Sequence, residues 1–155
     1  MDKNFLTPAE TVRAIMENGK RVAVQPLSRT VVLSLLAGFY IAFGAELATV
    51  VSAGTADKLG QGIARLLSGS VFSLGLMLVV ICGAELFTGN SLLTKTALLG
   101  EITWGKLLEN WGVVLLGNFV GSLFFAWLMY RSTLWQAPLI AEQAIAIATA
   151  KSKLP

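Results

Sequence analysis

Residues 85–90, "ELFTGN", bring a carboxyl group, a hydroxyl and a carboxamide within six positions of one another, inside a run that is otherwise apolar. In the wider stretch "VICGAELFTGNSLL" (80–93), Glu85, Thr88 and Asn90 stand beside Gly83 and Gly89, two residues that weaken a helix. Polar groups in so apolar a setting need partners, because burying them unpaired is costly. A hydroxyl such as that of Thr88 offers a neutral donor, which binds an anion without trapping it as a fixed charge would. Other chemistry is sparse. The chain has no histidine and one cysteine, Cys82, so it offers neither a typical zinc site nor an intrachain disulfide, and neither metal nor cofactor is expected. Cys82 reads as a small apolar packing residue. Glu46, Glu85 and Glu109 lie in or near apolar runs, but no spacing pairs them as acid and base, so an enzyme is not expected.

The elements that must hold these residues follow from composition. Of 155 residues, 55% are hydrophobic and 14% charged, against about 25% charged in soluble domains. Low charge with long apolar stretches points to a bilayer. In a soluble protein the net charge of +3 would hint at nucleic acid; here the placement of the charges matters more, and no nucleic-acid partner is expected. Three apolar runs stand out. "TVVLSLLAGFYIAFGAELATVVS" (30–52) carries one charge, Glu46, and at 23 residues would span about 35 Å. The second run covers 66–99, with Glu85 and Lys95 its only charges, and the third, 111–130, has none. Polar stretches at 53–62 and 100–106 read as loops. Before the first run, "TPAE" offers Thr7 as a cap, Pro8 at the first helical position and Glu10 completing a capping box. Val12, Ile15 and Met16 share a face, so 1–29 reads as an amphipathic helix on the membrane surface or against the bundle. Lys3, Arg13, Lys20, Arg21 and Arg29 precede the first span, against Lys58 and Arg65 after it. That bias puts the N-terminus in the cytoplasm of a multi-pass protein and leaves 131–155 on the far side.

The second run is too long. Its 34 residues would make about 50 Å of helix, against a hydrocarbon core of about 30 Å. A break is therefore expected at "CGAELFTGN", with Thr88 and Asn90 as suitable caps for a restart. Such a break survives at membrane depth only when packed in protein or lining a watery cavity. Two readings follow. The break is a packed kink with Glu85 bonded to nearby backbone, or it lines a pathway into which the restarted helix aims free N–H groups. Phe72 and Leu76 are four apart and share a helix face. With Leu86 and Phe87 at the break, they would make dry constrictions around a polar midpoint.

"FSLGLMLVVICGAELFTGN" (72–90) resembles the formate/nitrite transporter family, as do "GEITWGKLLENWGVVLLGNFVGSLFFAWLM" (100–129) and "AKSKLP" (150–155). The resemblance implies an all-α membrane fold in which three spans, the second broken, form one inverted repeat of an aquaporin-like architecture. It implies a homo-pentamer in the inner (plasma) membrane with one pore per subunit, passing formate, nitrite or hydrosulfide. By that likeness Phe72, Leu76, Leu86 and Phe87 look like pore constriction residues, and Thr88 like the threonine that faces a pore histidine. Glu85, Gly89 and Asn90 look like the broken-helix loop, and Lys151 like a lysine that draws anions from outside. The family's second repeat and its histidine have no counterpart here, which implies a missing C-terminal half or a second chain. Formate with proton coupling is the first expectation. Nitrite, hydrosulfide, a neutral-solute channel and a non-conducting structural subunit remain alternatives, although the Asn-Pro-Ala turns of aquaporins are absent.

Overall fold

The computed structural model describes residues 5–153. Lys3, Leu154 and Pro155, on which parts of the charge and motif readings rest, lie outside the described residues. Every element among the described residues is helical: α1 (Pro8–Val24), α2 (Leu27–Ser52), α3 (Thr55–Leu59), α4 (Gln61–Cys82), α5 (Phe87–Asn90), α6 (Leu93–Leu98), α7 (Trp104–Arg131), a 3-10 turn (Leu134–Gln136) and α8 (Pro138–Ser152). Three of these, α2, α4 and α7, are long and apolar enough to cross a membrane. The broken second span is present as α4, α5 and α6.

The limits of the elements differ from the hydropathy reading. The first span begins at Leu27 rather than 30, directly after Pro26, and the third at Trp104 rather than 111, with Thr103 as its cap. The second begins at Gln61, not 66, and its last helical piece ends at Leu98. In each case the helix runs on through polar residues that hydropathy excludes. The predicted loop 53–62 contains α3, and α1 stops at Val24, short of 29.

α2 is the central helix, packed against α4 on one side and α7 on the other. Small residues bring the axes close, as expected where lipid supplies no hydrophobic drive between helices. A Cβ on Gly121 would collide with the carbonyl of Leu35, and one on Gly117 with the Ser34 side chain. Across the other contact, a Cβ on Gly75 would lie 2.7 Å from the Tyr40 carbonyl. Phe39, Phe43 and Phe125 fill the space beyond, with Phe39 and Phe125 edge to face at 4.9 Å.

α1 opens with the anticipated capping box: Thr7 N–H donates to Glu10 Oε2 at 2.7 Å, and Glu10 N–H to Thr7 Oγ1. Its inner face packs on α6 and the start of α7, where Val22, Leu93, Ala97 and Leu107 form a buried cluster. Of the two placements open to this helix, it takes the bundle. At the other end, α8 is tied back to α2 by Gln143 Nε2 donating to Ser52 Oγ at 3.1 Å, and Trp135 Nε1 donates to the buried Glu46 Oε1 at 2.8 Å.

Candidate functional site: the broken second span

α4 ends because Gly83 takes a left-handed conformation, φ 62°, which a side-chain-bearing residue adopts only with strain. Ala84 N–H then reaches back to the Val79 carbonyl at 2.9 Å, closing a Schellman-type end. Residues 84–86 lie outside any helix, and the helix restarts at Phe87 with an extended Leu86 as its cap.

The freed backbone groups find partners on two other helices. Glu85 N–H donates to the Leu33 carbonyl of α2 at 3.2 Å. Asn118, midway along α7, supplies most of the rest. Its Oδ1 accepts from Phe87 N–H at 2.9 Å, while Nδ2 donates to the Glu85 carbonyl at 2.9 Å and the Ser34 carbonyl at 2.8 Å. One carboxamide thus bridges α2, the break and α7. Glu85 is buried, 7% exposed. Its Oε1 accepts from Gln25 Nε2 at 3.1 Å and its Oε2 from Asn90 Nδ2 at 2.6 Å; Asn90 also donates to Asn110 Oδ1 at 2.9 Å. Trp111 Nε1 donates to the Asn90 carbonyl, and the Trp111 ring meets that of Phe87 edge on at 5.8 Å.

Several expectations change. Thr88 and Asn90 do not cap the restart. Leu86 holds that position, because Asn118 already satisfies the Phe87 N–H from a distance and Asn90 is committed to Glu85. The restart is also only four residues long, so it carries little of a helix dipole. In the packed-kink reading Glu85 bonds to backbone; its carboxyl is instead held by the side chains of Gln25 and Asn90.

The expected site residues divide into groups. Glu85, Leu86, Phe87, Thr88, Gly89 and Asn90 lie together at the break. Thr88 and Gly89 are exposed, while Leu86, Phe87 and Asn90 are half-buried. Phe72 and Leu76 are on α4 above it, 40% and 50% exposed. Lys151 is exposed in the last turn of α8 and is not brought to the break. α8 joins α2 at Ser52, 18 residues from Ser34, or about 27 Å along the helix, and the eight residues from Gln143 to Lys151 cover only about 12 Å. Asn118, Gln25, Asn110 and Trp111 were not among the expected site residues. A lone carboxamide inside a 20-residue uncharged span is a signal for Asn118, since at that depth it must bond to something.

A span that stops, passes through three non-helical residues and restarts, clamped by its neighbours, defines a class of membrane proteins built around discontinuous helices. The formate/nitrite transporter family matches residues 9–155, and the chain belongs to that family. A probable formate transporter of Methanothermobacter thermautotrophicus is 40% identical over 158 residues, covering 99% of this chain and 56% of the relative. The formate channel FocA of Escherichia coli (strain K12) is 38% identical over 129 residues, 83% of this chain and 45% of FocA. Among solved structures, an FNT family ion channel superposes with a TM-score of 0.83 at 29% identity, covering 95% of this chain and 59% of that one. A pentameric formate channel with formate bound gives 0.72 at 33%, covering 83% and 51%. The chain spans about half the length of the curated relatives it matches.

Proposed function

We propose that this chain forms a membrane pathway for small monovalent anions, formate first, as a homo-pentamer in the plasma membrane with its N-terminus in the cytoplasm. The observation that carries the reading is the clamped break. The freed groups named above are bonded to α2 and α7, whereas Thr88 and Gly89 stay exposed. An exposed hydroxyl at a clamped break gives an anion a neutral donor at bilayer depth. Phe72, Leu76, Leu86 and Phe87 are the apolar residues near it, and they form the constrictions in this reading. A bare anion crosses apolar slits only if its charge is offset, so formate passes with a proton, as the neutral acid. Relatives named as formate channels and the pentameric neighbour support the substrate and the assembly. The cationic residues Arg13, Lys20, Arg21 and Arg29 before α2 support the orientation.

Uptake of labelled formate into proteoliposomes tests the reading, with nitrite and hydrosulfide as competitors. Thr88→Val removes the hydroxyl at nearly constant volume and should lower formate flux about tenfold or more, the loss of roughly one charge-assisted hydrogen bond. Unchanged flux removes Thr88 from the pathway. No flux from the wild-type protein would instead favour a structural subunit.

A further inference from the structure

At the end of the bundle away from α1, a recess opens between the end of α2, α3, the first turns of α4, and α8. Its polar lining comes from Ser52, Gln61, Arg65, Ser68 and Gln143. Arg65 is its only charged residue, and among the described residues Arg65 is in no ion pair. Asp57 and Lys58, on neighbouring α3, do not line it. A planar guanidinium with hydroxyls and carboxamides around it matches a small planar oxyanion, because the guanidinium presents two parallel N–H donors and the neutral groups add single ones.

The placement along α4 gives the recess a direction. Arg65, Gly69, Phe72 and Leu76 follow one another at spacings of four, three and four, which keeps them on one helix face. That face leads from the recess past Phe72 and Leu76 toward the break. On α8, Gln143, Ile147 and Lys151 are likewise four apart, so Lys151 stands one turn beyond the recess on the side that lines it. A second cation therefore flanks the rim.

We propose that this recess is a docking site for a small monovalent carboxylate or nitrite-like anion, with Arg65 as its charged group and Ser68 and Gln143 as neutral donors. It raises the local anion concentration at the extracytoplasmic entrance to the α4 face. The proposal rests on the pathway reading above, and its test separates the two.

Initial rates of labelled formate entry into oriented proteoliposomes are measured against concentration for wild type, Arg65→Gln, Arg65→Lys and Ser68→Ala. A capture site predicts that Arg65→Gln raises KM about tenfold with maximal rate within about twofold, since a fixed cation concentrates counter-ions by tenfold or more. Arg65→Lys restores most of the affinity, Ser68→Ala raises KM a few-fold, and added salt narrows the gap between wild type and Arg65→Gln. A conducting wild type whose KM is unmoved by Arg65→Gln and Ser68→Ala overturns this inference alone. Wild-type liposomes that pass no formate overturn the pathway reading and this inference together. Should Arg65→Gln fail to give a monodisperse protein, Arg65→Lys and Ser68→Ala decide: both at wild-type KM overturn the site, and a graded rise supports it.

Discussion

Asn118 stands in for the water that a soluble protein would use to satisfy a broken helix. It accepts from Phe87 N–H and donates to the Glu85 and Ser34 carbonyls with one side chain. Asn118→Leu keeps the volume and leaves three backbone groups without that partner. At about 1–3 kcal/mol for each group left buried and unbonded, the loss should reach several kcal/mol. Thermal unfolding in detergent should show a clear fall in Tm, and an unchanged Tm would mean that other groups or water replace the clamp. The sequence revealed one side of this arrangement. Glu85, Thr88 and Asn90 are conspicuous because they are polar among Val, Ile and Leu, and Asn118 lies in the stretch 100–129 that resembles the family. That Asn118 reaches across 33 residues to the Glu85 carbonyl was not legible, because local spacing carries no information about which helix comes to lie alongside. The same holds for Gln25, whose partner is 60 residues away.

Among the elements, the three spans were legible because apolar runs of this length have few alternatives to a membrane helix. So was the break, since a 34-residue run exceeds the bilayer. Helix ends were harder to place. Hydropathy marks where lipid starts, whereas a helix continues until its backbone is capped, as at Thr103 for α7. Helix contacts in the interior rest on glycine. Gly121→Ala drives a Cβ into the Leu35 carbonyl, a backbone atom that cannot turn aside, and should separate α2 from α7. Gly112, on the same helix, has open space around its Cβ position. Gly112→Ala should be neutral or stabilising by up to about 1 kcal/mol. Comparing the two variants by size-exclusion profile after heating checks this, and equal behaviour would count against the close-packing account.

For the whole molecule, charge sets direction. α1 docks by its buried face and by Lys20 and Glu101, 2.6 Å apart; it carries Arg13, Lys20 and Arg21, and Arg29 follows in the first turn of α2. In a Cys82→Ser background, a cysteine in place of Ser28 should resist an impermeant maleimide added to intact cells. One in place of Lys58 should react. The reverse pattern would invert the assigned topology and move the Arg65 recess to the cytoplasmic side.

The long reach of Asn118 also bears on how the protein is made. Synthesis at about 5–20 residues per second leaves an interval of roughly 2–7 s between residue 85 and residue 118. Through that interval the Phe87 amide and the Glu85 carbonyl have no partner on α7. Lipid offers none either, so until the third span arrives these two groups depend on water for their hydrogen bonds.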